Sequence, residues 1–286
     1  MRLRKLSVAV PSSVISDTPH LREKTYKVGL IGRAAAVFCV DEVIIFSDGS
    51  KAGRRSDAVL MATLLSYMET PQYLRKHVFK LRPELKYAGI LPPLRTPHHP
   101  LMRKTEGLRI GEYREGVTLS ATKEGTTVDI GVEEPAVIRD ASARLGKRVT
   151  VKITGISRPV EVRLVDRGDV PGYWGYCVTD ESRSFGGLLK NRNFDLTVAT
   201  SRQGSPLADV LEKMRDKWRG AEKVLVAFGA PTRGLNEIAA SEGLRLRDVV
   251  DFVVNTIPGQ GTETVRTEEA LFASLAVLNV ELDRAA

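Results

Sequence analysis

The sequence predicts an α/β protein with a parallel sheet, interrupted by a small all-β module of OB type. Three observations carry that prediction. Residues 6–46 read as strand, helix, strand. Residues 105–178 break into short alternating runs with no pattern of helical length. From residue 182 onward, three strand–loop–helix units follow one another. The organisation expected is an α/β domain built from residues 1–104 and 179–286, with residues 105–178 inserted as the β-rich module.

The first strand is Leu6–Val10, an apolar run stopped by Pro11. Asp17 or Thr18 can cap the helix that follows. Its apolar face is set by Leu21, Val28, Ile31, Ala35 and Phe38, and it runs to about Val40. Gly29 and Gly32 weaken that helix, which suggests that something approaches its backbone closely. Glu42–Phe46 is the second strand and Ser47-Asp48-Gly49 a turn. A strand–helix–strand unit of this kind makes a parallel pair. Ser56–Tyr67 reads as a helix capped by Ser56, and Pro71 opens a second, basic one containing Arg75, Lys76 and His77. Four prolines in nine positions (Pro92, Pro93, Pro97, Pro100) then exclude helix and central strand, leaving an extended connector.

The β-rich module shows its strands as GLRIGEYREGVTLSA, TTVDIGV, PAVIR, RVTVKITGI, VEVRLVD and YWGYCVTD, separated by Gly or charged turns. Arg139, Arg144, Lys147, Arg148, Lys152, Arg158, Arg163 and Arg167 concentrate charge here. Tyr113, Tyr173, Trp174 and Tyr176 could stack on nucleic-acid bases, or could equally be core.

After Phe185–Leu189, a short helix, comes the strand Leu196–Ala199 and the loop Thr200–Ser205. Pro206 begins a helix to Trp218 with Leu207, Val210, Leu211 and Met214 on its apolar face. Lys223–Phe228 is a strand and residues 229–234 (GAPTRG) its loop, before a helix at Leu235–Ala240. The last unit is the strand at Phe252–Val254, the polar loop through Ile257-Pro258-Gly259-Gln260-Gly261, and a helix from Thr267 with Ala270, Leu271, Ser274, Leu275 and Leu278 at helical spacing. Ligands of open α/β sheets sit outside the carboxyl ends of the strands, where these three loops lie. An ordinary strand-to-helix turn would give the same local pattern.

Bulk properties narrow the function. Apolar residues make up 42% of the 286, enough for a real core. Lys and Arg number 43 against 35 Asp and Glu, a basic balance that favours phosphate backbones. There is no apolar run of membrane length and no signal-peptide pattern, so a soluble cytoplasmic protein is expected. Cys39 and Cys177 are too few and too far apart for a disulfide framework or a metal site, and four histidines with only His98 and His99 adjacent argue against zinc. The patterns GxxxxGK[ST], GxSxG, HExxH and CxxC are absent, and Gly259–Thr264 (GQGTET) is only a near miss to a dinucleotide loop at the wrong strand.

The run NTIPGQGTETVRTEEALFASLAVLN, with AFGAPTRGL and LTVATSRQG before it, resembles the SPOUT superfamily of RNA methyltransferases. LSVAVPSSV, GRAAAVFCVDEVIIF, METPQYLRK and AGILPPLRTPHH extend the likeness through the N-terminal half, to the archaeal and eukaryotic branch of RNA uridine-N3 methyltransferases. The resemblance implies a trefoil-knotted α/β domain with an OB-like insert, and a homodimer with S-adenosylmethionine held in the knot; the cysteine and histidine counts lead to the expectation of no metal. It implies methyl transfer to a uridine base nitrogen, N3, of ribosomal RNA. A non-catalytic RNA-binding or ribosome-assembly protein of the same fold is the alternative, and a DNA-binding protein using the insert is a third reading.

Carried onto this chain, the resemblance gives the cofactor to three loops. Thr200 and Ser201 end the first strand. Gly229, Pro231 and Gly234 form the second loop. Asn255, Ile257, Pro258, Gly261, Thr262 and Val265 form the third. Arg33 takes the place of a catalytic arginine, stabilising the anion that develops on uracil O2 or O4; a phosphate contact, or an ion pair with Asp41 or Glu42, stays open beside it. His98 and His99 are open between proton transfer, RNA contact and packing. Arg233 and Arg266 could meet RNA phosphate or cap a carboxylate. Arg75 and Arg148 are further RNA-contact candidates.

Overall fold

The computed structural model describes residues 4–49, 55–122, 125–139 and 144–283. They fall into two compact units: Tyr67–Pro83 together with Leu94–Gly175, and the described residues outside those segments.

The larger unit is built on a six-stranded, wholly parallel sheet. Its strands are β1 (Lys5–Pro11), β2 (Glu42–Ser47), β8 (Cys177–Ser184), β9 (Leu196–Pro206), β10 (Lys223–Ala227) and β11 (Phe252–Asn255), in the spatial order β11-β9-β10-β1-β2-β8. Register is fixed at the centre, where Val8 of β1 lies between Val226 and Val43. Val8, Ala9, Val10 and Val43–Phe46 are fully buried, as expected of parallel strands covered on both faces. On one side α1 (Leu21–Val37) packs against α8 (Thr267–Asp283), and Phe38 meets Phe272 edge to face at 6.3 Å. Another core cluster joins Ala9, Ile44 and Phe46 to Phe185, Leu188 and Ile238. It covers the sheet with α4 (Phe185–Asn191), α6 (Leu235–Ser241) and α7 (Leu246–Val249). Further helices among the described residues are α2 (Arg55–Glu69) and α5 (Leu207–Gly220), while the single turn α3 (Arg75–Val78) belongs to the smaller unit.

The glycine reading of α1 has a concrete cause. A Cβ on Gly29 would lie 2.8 Å from Pro92 Cδ, so the proline-rich connector packs directly on the helix backbone. The cap reading does not hold. α1 begins one residue after His20, which makes no side-chain capping bond, and Asp17 instead receives Lys27 Nζ at 2.8 Å. Ser56 lies inside α2, which already includes Arg55, and Pro206 belongs to β9, one residue before α5; helix ends shift by a residue or two against any sequence signal. The basic helix expected from Pro71 is a 3-10 turn over Gln72–Leu74 followed by α3.

The smaller unit carries a closed five-stranded barrel: β3 (Tyr113–Thr122), β4 (Gly125–Asp129), β5 (Ala136–Ile138), β6 (Arg148–Gly155) and β7 (Glu161–Val165), paired around in the order β3-β4-β5-β7-β6. All pairs are antiparallel except β5–β7. Closure leaves no free sheet edge. Val128, Ile130, Ile138, Val151 and Ile153 fill the interior. Gly116 is required there, since a Cβ would fall 2.5 Å from Val128 Cγ1. The run YWGYCVTD, read as part of the module, divides instead. Cys177 onward forms β8, which runs parallel to β2 in the large sheet. Trp174 and Tyr176 are buried, with indole Nε1 donating to Glu115 at 2.6 Å and the Tyr176 hydroxyl to Leu65 O at 3.1 Å, so neither offers a face to a base.

Candidate active site

Three loops at the carboxyl ends of β9, β10 and β11 enclose a cleft of about 250 Å3. Its construction starts with a bulge. β9 pairs with β11 at Ala199↔Val253 and again at Ser205↔Val254, so residues 200–204 loop out of the ladder. Gly204 permits this, because its missing Cβ would sit 2.5 Å from the Val254 carbonyl carbon. Thr200 Oγ1 donates to Ala227 O at 3.0 Å and so anchors the bulge to β10.

The second loop folds tightly back, with Ala230 N–H donating to Arg233 O at 2.9 Å. Here too glycine is obligatory: a Cβ on Gly229 would lie 2.9 Å from Gly234 Cα and 3.1 Å from Arg233 O. The third loop opens with an Asx turn, Ile257 N–H donating to Asn255 Oδ1 at 3.0 Å. It is tied to the first where Asn255 Nδ2 donates to Arg202 O at 3.2 Å and Arg202 Nη1 to Glu263 O at 2.7 Å.

Thr200, Ser201, Gly229, Pro231, Gly234, Asn255, Ile257 and Val265 all line this cleft. Pro258, Gly261 and Thr262 do not; they are exposed. Three kinds of lining residue carry no signal in the sequence pattern. Asn236 of α6 donates to Ser201 Oγ at 3.3 Å and to Gln203 Oε1 at 3.1 Å. Thr267 of α8 donates to Gly229 O at 2.8 Å. Phe228, with Pro231, Ile257 and Val265, supplies apolar wall. Phe228 was legible only as the end of a strand, and Asn236 and Thr267 only as first-turn helix residues, so nothing in their spacing marked them.

Arg33 is not among the residues lining the cleft; its Nη1 donates to Pro93 O at 3.0 Å. Glu42 is engaged elsewhere, by Arg192, Thr179 and Ser7. Arg233 stands beside the cleft with Nη1 on Asp48 O at 3.2 Å, and Arg266 is exposed, its backbone N–H on Glu269 Oε2 at 2.9 Å.

In the smaller unit the remaining candidates converge on one carboxylate, Glu69, at the end of α2. Arg148 donates to both its oxygens, Nη1 at 2.5 Å and Nη2 at 3.1 Å, and its Nε donates to Glu115. Arg167 Nη2 donates to Glu69 Oε1 at 2.8 Å. His98 and His99 each donate Nε2 to the Glu69 carbonyl at 2.8 Å. Burial alone would raise the Glu69 pKa. The His98 hydrogen bond and the Arg148 and Arg167 charges outweigh it and hold the group at about 2. Burial, then the neighbouring His98, pushes His99 down to about 4. Arg75 caps the same helix end, donating to Thr70 O at 3.0 Å and Met68 O at 3.3 Å over the Tyr67 ring. His98, His99, Arg148 and Arg75 are thus all committed to internal contacts here.

A cleft lined by hydroxyl and amide side chains, with Arg202, Glu237 and Glu263 among them and an apolar wall, at the carboxyl ends of a parallel sheet, defines a ligand-binding α/β protein. Among the described residues no cluster of His, Cys, Asp and Glu could hold a metal, and no helix is long and apolar enough to cross a membrane. Residues 5–278 match the family model described as "Putative RNA methyltransferase", and the chain belongs to that family of RNA methyltransferases. It is 36% identical to an uncharacterized protein of Halobacterium salinarum, covering 96% of this chain and 98% of that one. It is 35% identical to the human 28S rRNA (uridine-N(3))-methyltransferase, covering 98% of this chain and 79% of that one, and 36% identical to the mouse protein of the same name, covering 96% and 75%. The enzyme therefore takes an RNA substrate and needs a methyl donor.

Proposed function

We propose that this enzyme methylates N3 of a uridine in large-subunit ribosomal RNA, using S-adenosylmethionine bound in the cleft between β9, β10 and β11. The observation that carries the cofactor reading is the cleft itself. Gly229 and Gly234 bring main chain to its surface, Ser201 and Asn236 present a hydroxyl and an amide beside Arg202, Glu237 and Glu263, and Ile257 and Val265 form an apolar wall. These suit an adenosine-bearing ligand. S-adenosylmethionine, when bound, supplies a methyl group already activated on its sulfonium.

The chain's own task is then to hold an unstacked uridine in line and exclude water. We assign Arg33 to the charge that develops on uracil O2 or O4 as N3 gives up its proton; a guanidinium stays protonated and acts by electrostatics. Because Arg33 does not line the cleft of its own chain, this reading gives it to the cleft of a second copy in a homodimer. The trefoil knot of the SPOUT fold belongs to the same reading. It is supported by the return of β11 to the far side of β9, away from β10.

The test is transfer of labelled methyl from S-adenosylmethionine to large-subunit rRNA, with the product nucleoside identified by mass. We expect 3-methyluridine; label on a ribose or another base would overturn the acceptor. Arg33→Ala should lower kcat by 100-fold or more, on the order of a lost transition-state donor, with cofactor affinity unchanged. Mixed dimers of Arg33→Ala with a cleft-blocked Gly229→Trp chain should recover one working cleft per dimer.

A further inference from the structure

The cations that the sequence crowds onto the barrel are sorted by the structure into two groups. Arg114 is spent on Glu112, Arg139 on Glu161, and Arg148 and Arg167 on Glu69. Lys152, Arg163 and Arg109 hold no ion pair among the described residues.

These three stand together. The register pairs Tyr113 of β3 with Lys152 of β6, and Lys152 with Arg163 of β7. Val151 and Ile153 point into the barrel core, so the row Tyr113–Lys152–Arg163 faces outward. At the usual strand spacing it spans about 10 Å. Gly111 N–H donates to Ile153 O at 2.8 Å, and a Cβ on Gly111 would come within 3.9 Å of Lys152 Cε, so the turn before β3 borders this row. That turn carries exposed Arg109 and Ile110, the latter 66% accessible.

The Tyr113 ring is braced. Trp174 meets it at 6.3 Å and 71°, and Trp174 is itself pinned by Glu115. Lys152 Nζ lies 5.3 Å from the ring centroid. The carboxylates nearest to Tyr113 in sequence, Glu112 and Glu115, are already satisfied by Arg114 and Arg148. A fixed aromatic ring with one unspent cation over its face, and others on the next strand and the bordering turn, is the arrangement that takes a base on its face and phosphates beside it.

We propose that this row is a contact site for single-stranded RNA, one base stacking on Tyr113 and the adjoining phosphates meeting Lys152, Arg163 and Arg109. The base takes the ring face that Lys152 now covers, and the ammonium swings to phosphate, a rotation that breaks no hydrogen bond. The choice of RNA as the nucleic acid rests on the methyltransferase reading.

The test is fluorescence anisotropy of the full-length protein with a labelled oligouridine and with an RNA duplex of equal length. Tyr113→Ala should weaken single-strand binding about 10-fold, as loss of one stacked base does, while Tyr113→Phe binds as wild type. Lys152→Ala with Arg163→Ala should flatten the slope of log affinity against log salt by about 1.4, two phosphate contacts at ~0.7 each, and Tyr113→Ala should leave that slope alone. Equal binding of Tyr113→Ala and wild type, an unchanged slope in the double variant, equal loss in Tyr113→Phe, or no binding of oligouridine by wild type would each overturn the proposal. S-adenosylhomocysteine binding by the same variants reads the cofactor cleft separately. It should be unchanged, and its absence in wild type would remove the cofactor reading while leaving this contact standing.

Discussion

Thr267 Oγ1 donates to the Gly229 carbonyl at 2.8 Å, joining the first turn of α8 to the loop after β10. Thr267 is 4% exposed, so the bond is shielded from water and its loss leaves the carbonyl unsatisfied. Thr267→Val keeps the shape and removes the donor. At about 1 kcal/mol for such a bond, S-adenosylhomocysteine affinity should fall roughly 5-fold by calorimetry. Thr267→Ser, which restores the hydroxyl, should return it to near the wild-type value.

The glycines of the cleft separate shape from sequence pattern. Gly229→Ala drives a methyl to 2.9 Å from Gly234 Cα, against backbone that cannot yield cheaply, so cofactor binding should fall at least 10-fold, the consequence of a loop moved off its geometry. Gly261→Ala places its methyl in open space, on a residue outside the cleft, and should bind as wild type. Parallel titrations of the two variants decide between them. Equal loss in both would show that the exposed turn, not the cleft wall, holds the ligand.

Much of the larger unit was legible because its signals are local. Val8 to Val10, Ile44 to Phe46 and Val224 to Val226 are apolar runs of strand length, and each became a central strand. The loops after β9, β10 and β11 announced themselves through glycine and polar residues, and eight of the eleven residues assigned to them share one cleft. What stayed hidden depends on distant chain. Glu69 meets Arg148 across 79 residues and Arg167 across 98, so the internal bonds that Arg75, Arg148, His98 and His99 make at this helix end left no local signal. The prolongation of β9 past Ala199 was invisible for the same reason. Its second stretch exists only because β11 is there to pair with it.

Glu69 makes a sharp stability test, because two guanidinium groups close on one buried carboxylate. Glu69→Met takes the carboxylate from Arg167 and from the Nη end of Arg148, which keeps Glu115 through Nε, and should cost on the order of 3–5 kcal/mol, measured by urea unfolding. Adding Arg148→Met removes part of the uncompensated charge. The pair should therefore lose less than the sum of the single variants, a coupling that contact across one ion pair requires. Strict additivity would mean that the two side chains do not interact in solution.

Acid should weaken the protein in two stages, and the first belongs to His99. Its folded pKa is about 4, below the ordinary 6.5, because burial and then the adjacent His98 disfavour its charged form. Between those two values the unfolded chain binds a proton that the folded chain refuses, so stability falls as pH is lowered through that window. The shift from 6.5 to about 4 corresponds to on the order of 3 kcal/mol at most. Glu69 acts in the next window. Its folded pKa of about 2 lies below the ordinary 4.5, so its contribution is complete above 4.5 and is lost as pH falls toward 2. Urea midpoints taken at intervals from pH 7.5 to 4 should therefore begin to decline near 6.5, well above the carboxylate range. His99→Gln, which has no proton to gain, should flatten the curve between 6.5 and 5 and leave the steeper acid limb in place. A wild-type curve that is level down to pH 5 would show that His99 is open to solvent, and its hydrogen bond to the Glu69 carbonyl could not then be holding the helix end.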